Sequence, residues 1–266
     1  MAFLNRKSLI SRRKPMAAAV VIAAALLLTG GGYAAATAAI TSQQSPTVAS
    51  AAQIDEGHKL FLANCASCHG KNAEGSQNAP TLIGVGAASV DFQVGSGRMP
   101  AQASGAQIPT KDPSFSDSEI AALAAYVASL APGPAVPTDA MVANNGNATR
   151  GGELFRTNCA MCHNAAGAGG ALTQGKYAPA LTDTAPKEMY EAMITGPQNM
   201  PVFNDANLTP KDKKDIITYL VYLQQHPSPG GLNLDNLGPV AEGLLVWIGV
   251  LGGIIAITVW LGAKSN

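Results

Sequence analysis

"NCASCHGKNAEG", residues 64–75, sets Cys65 and Cys68 two residues apart with His69 directly behind them. A C-x-x-C pair by itself fits a redox dithiol or half of a zinc site. The histidine changes that reading. Two thiols one helical turn apart can add to the vinyl groups on adjacent pyrroles of a haem. The imidazole that follows then reaches the iron, so C-x-x-C-H reads as a c-type haem attachment. "NCAMCH" repeats the motif at 158–163, and Cys159 and Cys162 complete the four cysteines of the chain. No thiol is left over. A zinc ribbon keeps its two pairs about 15–20 residues apart, far closer than these, and a thioredoxin-like site needs neither the histidines nor a second copy. The sequence therefore predicts two covalently attached haem c groups, one on Cys65, Cys68 and His69 and one on Cys159, Cys162 and His163.

The sixth iron ligand is expected further along each segment. Cytochromes c pair the proximal histidine with a methionine thioether, which raises the potential. Met99, in "GRMP", is the only methionine between the first motif and the Pro-rich tract at 131–147, and Met200, in "QNMPVF", follows the second motif. Each precedes a proline in a loop-like stretch, where the ring stiffens the chain and blocks a helix. Met161, Met189 and Met193 are read as core filler, the last two within the helical-looking "EMYEAM".

An internal duplication supports both assignments. "GHKLFLANCASCHG" (57–70) aligns with "GGELFRTNCAMCHN" (151–164), and "APTL" (79–82) answers "APAL" (178–181). Each copy then reaches its Met-Pro and closes with a helix. Ser116 to Glu119 forms a capping-box pattern before "IAALAAYVASL", and Thr209-Pro-Lys-Asp212 opens "KKDIITYLVYLQ" with a cap and a proline at the first helical position. Tyr126 and Tyr219 occupy matching places in these closing helices.

Each copy resembles a class I cytochrome c domain, in which the opening and closing helices cross and the haem shows one edge to solvent. The resemblance implies that Gly57 and Gly151 permit the close crossing and that Phe61, Phe155, Tyr126 and Tyr219 pack around it. Ordinary core packing of these aromatics fits the same picture.

The chain has 266 residues and a formal net charge of zero, but the charges are segregated. Arg6, Lys7, Arg12, Arg13 and Lys14 crowd the N-terminus, whereas residues 45–235 carry eleven Lys and Arg against sixteen Asp and Glu. That acidic balance argues against nucleic-acid binding and suits a basic protein partner. Gly243 to Ala263 holds no charge and is long enough to span a hydrocarbon core of about 30 Å; Trp247 and Trp260 lie toward its ends as interface anchors do. Gly249 and Gly253 form a small-x-x-x-small spacing suited to packing on another membrane helix. Met16 to Ile40 has the basic lead, apolar run and small-residue tail of a signal peptide, and also the length of an uncleaved anchor; the anchor is favoured. The basic cluster keeps the N-terminus cytoplasmic, so both haem domains face outward from a cell membrane crossed twice.

The expected organisation is mainly α: a basic N-terminus and apolar anchor or signal segment (1–45), a first cytochrome c domain (51–131), a linker (131–147), a second domain (148–226), another linker (227–242) and a transmembrane helix (243–263). Three tracts, at 41–50, 131–147 and 226–239, punctuate it without a pattern for independent folding. His58 and His226 are read as surface residues.

Over nearly its full length this arrangement closely resembles the di-haem cytochrome cc subunit of actinobacterial cytochrome bc1 complexes. The resemblance implies a first haem on Cys65, Cys68, His69 and Met99 and a second on Cys159, Cys162, His163 and Met200. It implies partners: cytochrome b, a Rieske iron–sulfur subunit and an aa3-type terminal oxidase in a supercomplex. Electrons would run from the Rieske centre through both haems to the oxidase, with quinol chemistry left to other subunits and no catalytic residue in this chain. Two alternatives are weighed. The di-haem subunit of a cbb3-type oxidase commonly carries its anchor at the N-terminal side, against the C-terminal span here. A di-haem peroxidase needs an open or histidine-ligated haem face, against two Met-Pro loops and few spare histidines.

Overall fold

The structure, a computed structural model, describes residues 15–42, 49–103, 105, 107–226 and 243–264. The chain divides into two compact units, residues 1–48 and 49–266. In the first, helix α1 (Pro15–Ser42) is free of charged residues, and the side chains described along it, 19–33, are exposed.

The second unit contains the duplication as two helical lobes. Ser50 starts the first lobe by accepting the Gln53 N–H at 3.1 Å, which caps α2 (Ala51–Asn64). Helices α3 (Ala66–His69), α4 (Gly86–Gly95) and α5 (Asp117–Leu130) follow. The capping box forms: Glu119 accepts the Ser116 N–H at 2.8 Å and the Ser116 hydroxyl at 2.7 Å, satisfying donors that the first turn of α5 leaves open. Those bonds hold the Glu119 carboxyl below the usual carboxylate range. The second lobe comprises α6 (Asp139–Val142), α7 (Ala148–Asn158), α8 (Ala160–His163), the hairpin β1 (Gly170–Ala171) and β2 (Tyr177–Ala178), α9 (Pro186–Thr195) and α10 (Pro210–Gln225). Thr209 and Asp212 cap α10 reciprocally at 3.2 Å.

In each lobe the opening helix crosses the closing helix at a glycine. A methyl group at Gly57 would lie 1.9 Å from the Ala122 carbonyl oxygen, and one at Gly151 would lie 1.9 Å from that of Asp215. Phe61 tilts against Tyr126 with centroids 5.2 Å apart, and Phe155 against Tyr219 at 5.7 Å. Around these crossings Phe61, Leu123 and Val127 bury in one core, and Phe155, Tyr190 and Ile217 in the other. Each such side chain contributes about 1.5–3 kcal/mol through the apolar surface it removes from water.

Two sequence readings change. Met161 is 93% exposed and fills no core, whereas Met189 and Met193, on α9, are buried. His58 is half-buried because its ring stacks on Tyr126 at 4.7 Å.

The 131–147 tract is fastened at both ends. Ala88 donates to the Pro134 carbonyl at 3.1 Å, and Met141 and Val142 pack on the second core. Gly146 N–H donates to Thr218 Oγ1 at 2.9 Å and Asn147 N–H to Asp215 Oδ1 at 2.7 Å. Proline lacks the N–H but keeps the carbonyl, so the tract docks as an acceptor at Pro134 and as a donor at Gly146 and Asn147. The lobes also touch directly. Helix α4 packs on α9, and Gln107 grips the hairpin, donating to the Tyr177 carbonyl at 2.8 Å and accepting its N–H at 2.7 Å. Gln198 donates to the Ile108 carbonyl at 3.1 Å.

Residues 227–242, where one linker was expected, lie outside the described residues. After them α11 (Gly243–Ala263) is, among the described residues, the one helix long and apolar enough to cross a membrane. Its 21 residues cover about 31 Å at about 1.5 Å per residue, and Val246–Leu251 within it is a π-helical turn.

Candidate haem-attachment sites

The two C-x-x-C-H motifs fold into the same turn twice. Cys65 ends α2 with its N–H on the Phe61 carbonyl at 2.8 Å, and its own carbonyl accepts Cys68 N–H at 3.1 Å and His69 N–H at 2.9 Å. Cys159 repeats this with Phe155, Cys162 and His163 at 2.8, 3.1 and 2.9 Å. A left-handed residue stops each turn, Gly70 at φ 80° and Asn164 at φ 67°. The chain then folds back, Gly75 N–H donating to the His69 carbonyl at 2.7 Å and Gly169 N–H to that of His163 at 2.9 Å.

Each histidine is anchored through one nitrogen. His69 Nδ1 lies 2.8 Å from the Pro80 carbonyl, and His163 Nδ1 lies 3.0 Å from that of Pro179. A carbonyl only accepts, so Nδ1 carries the proton in both rings and Nε2 keeps its lone pair, the form that binds a metal. Both histidines are buried. Burial lowers the His163 pKa, against the opposing pull of its bond to Pro179, and so favours the neutral imidazole. No disulfide joins the four cysteines; burial, with the neighbouring thiol adding to it, pushes the Cys65 and Cys159 thiols up to about 11. Unpaired thiols two residues apart beside a neutral imidazole fit the covalent attachment of haem c. Among the described residues no three His, Cys, Asp or Glu side chains gather into a metal site of their own.

The methionines come from the loops after α4 and α9. Met99 donates its N–H to Gln93 at 2.9 Å, and Met200 donates to Pro197 at 3.0 Å. Met99 and Cys65 both pack against the first core, Met200 and Cys159 on or in the second. Each lobe thus sets on one core a cysteine and a methionine that lie 34 and 41 positions apart in the sequence. The two proline carbonyls had no assigned role in the sequence reading. The signal was present, since Pro80 and Pro179 are the matching prolines of "APTL" and "APAL".

The comparisons agree with this duplication. Residues 54–131 match the family model described as cytochrome c, and residues 146–220 match the one described as cytochrome C oxidase, cbb3-type, subunit III. Relatives extend over most of the chain. One from Corynebacterium efficiens is 46% identical over 231 residues, covering 80% of this chain and 78% of the relative; it is a cytochrome bc1 complex cytochrome c subunit. Proteins of the same description from Mycobacterium bovis and Corynebacterium diphtheriae are 46% and 43% identical, covering 82% and 80% of this chain and 80% and 82% of themselves. The chain belongs to the family of cytochrome bc1 complex cytochrome c subunits. It is a di-haem c-type cytochrome of electron transport, and the cbb3-type match is confined to its second domain.

Proposed function

We propose that this chain is the membrane-anchored electron conduit of a bc1-type quinol-oxidising complex, with its first haem on Cys65, Cys68, His69 and Met99 and its second on Cys159, Cys162, His163 and Met200. The observation that carries the ligand assignment is the doubled turn in which a proline carbonyl holds Nδ1 and leaves Nε2 available. When bound, each haem supplies a one-electron couple whose potential the axial pair sets. The thiols would tether the haem, His69 and His163 would offer one nitrogen in a fixed tautomer, and Met99 and Met200 would offer a soft thioether.

On this reading the chain takes electrons from a Rieske iron–sulfur subunit beside cytochrome b and passes them, first domain then second, to an aa3-type terminal oxidase. The complex as a whole is the quinol-oxidising translocase, and substrate chemistry belongs to its other subunits. The N-terminal helix and α11 both cross the membrane, with the haem domains on the extracytoplasmic side. Purification of the tagged full-length chain from its native membrane tests this. The expected result is two covalent haems per chain by pyridine haemochrome, with cytochrome b, Rieske and oxidase subunits retained. One haem per chain would sink the ligand assignment; retention of an oxidase without cytochrome b would favour the cbb3-type alternative.

A further inference from the structure

Helix α9 carries a carboxyl group that haem attachment leaves unused. Glu191 is 1% exposed, and neither side-chain oxygen meets an N–H or O–H donor among the described residues. Its neighbour across the contact with α4 is the carboxyl of Asp91, itself only 15% exposed. Two carboxylates both accept and neither donates, so this contact holds together only with a proton in it. Lys187, one turn before Glu191 on the same face of α9, reaches Asp91 Oδ2 at 2.5 Å. The lysine pairs with Asp91 and pulls on Glu191 only through space, less strongly than burial and Asp91 push the other way, so the burial cost falls on Glu191.

We infer that Glu191 and Asp91 share one proton across the contact between the two cytochrome c domains: Glu191 is held as the neutral acid and donates its O–H to the Asp91 carboxylate, which Lys187 neutralises from the other side. The remaining charges agree. Glu188 adds negative potential near Glu191 and faces Arg98 of the first domain, while Asp117, at the start of α5, acts on Lys187. On the α10 side, Lys213 closes on Asp205 at 2.6 Å beside Tyr190. Helix α6, also packed on α9, brings the exposed Asp139. Burial first, then the hydrogen bond to Asp91 and after it the Asp91 charge, push the Glu191 carboxyl up to about 9.

The interface is therefore a proton-binding site, and the proton acts as a latch. Its loss places two carboxylates against one ammonium group with one of them buried, a charge that needs water or a partner. Relief comes when α4 and α9 part, opening the contact between domains. This inference stands apart from the identity of the redox partners, because it rests on the contact between α4 and α9 and uses none of the haem-ligand side chains.

Infrared titration of the haem-loaded full-length chain in H2O and D2O tests it, with Glu191→Gln and Asp91→Asn as variants. Wild type is expected to show a buried carboxylic-acid band at neutral pH that disappears as pH rises through about 9. The band should be absent from Glu191→Gln, a difference that also removes the haem propionic acids from consideration. Asp91→Asn should lower the pH at which the band vanishes, since the repelling charge is gone. Amide exchange in α4 and α9, corrected for intrinsic rates, should rise over the same range in wild type and not in Glu191→Gln, whose amide keeps the bond to Asp91 without titrating. A neutral-pH spectrum identical in wild type and Glu191→Gln would overturn the proposal. An unmoved titration in Asp91→Asn would remove Asp91 as the partner.

Discussion

Gly151 lies against the Asp215 carbonyl so closely that a Cβ would come within 1.9 Å of its oxygen. The obstacle is backbone of the facing helix, so no side-chain rotation relieves it. Gly151→Ala must separate α7 from α10 and should destabilise the second domain by about 3 kcal/mol or more, at or beyond the usual range for overpacking. Gly152, the next residue, is the control. Its Cβ would meet the Tyr219 ring at 3.1 Å, a side chain able to give, and alanine regains about 1 kcal/mol of helix propensity. Thermal melts of the two variants should differ widely, and equal melts would contradict the crossing.

Replacing Cys159 and Cys162 together by alanine should leave one covalent haem per chain instead of two. Each turn is closed by hydrogen bonds within its own lobe, so loss of one leaves the other intact. Haem staining of a denaturing gel with intact-mass measurement reads the outcome. An unchanged mass of bound haem would refute the second motif.

Met200→His should keep the second haem low-spin and lower its potential, since exchanging a methionine ligand for histidine favours the ferric state. A fall of more than about 60 mV, tenfold in a one-electron equilibrium, is the expected scale in a spectroelectrochemical titration. Met99→His should shift the first haem and spare the second. If Met200→His moved neither couple, Met200 would not be a ligand.

Glu191 makes stability fall with pH over a definite window. In the unfolded chain a glutamate ionises near its ordinary value of 4.5, while in the folded protein it keeps its proton to about 9. Between these values the native state binds more protons. Its contribution is therefore full below pH 4.5 and is lost progressively toward pH 9, at up to about 1.4 kcal/mol per pH unit. Denaturant melts at pH 5 and pH 8 should show the wild type losing no more than about 4 kcal/mol from this group, and Glu191→Gln losing none of it. A parallel pH dependence in the two proteins would count against a protonated Glu191.

The local chemistry was legible in the chain itself. Covalent attachment needs two thiols and an imidazole at adjacent positions, so C-x-x-C-H is complete within one turn and was read twice. Caps are similarly local: Ser116 with Glu119 and Thr209 with Asp212 formed as their spacing required. The glycine crossings were implied by the resemblance to class I cytochrome c domains, on two glycines, Gly57 and Gly151, that the duplication aligns. What depends on distant backbone was not legible. The Pro80 and Pro179 carbonyls that orient His69 and His163 lie 11 and 16 residues away, the longer loop carrying the β1–β2 hairpin. The short helix α4, bounded by glycines, has no periodic stripe of its own, and its apolar residues were sorted only by packing on α5 and α9. Asp91 and Glu191, 100 positions apart, carry nothing in the sequence that pairs them. Only the packing of other helices on α9, α4 among them, excludes water from Glu191, and a carboxyl group without water must find a donor or keep its proton.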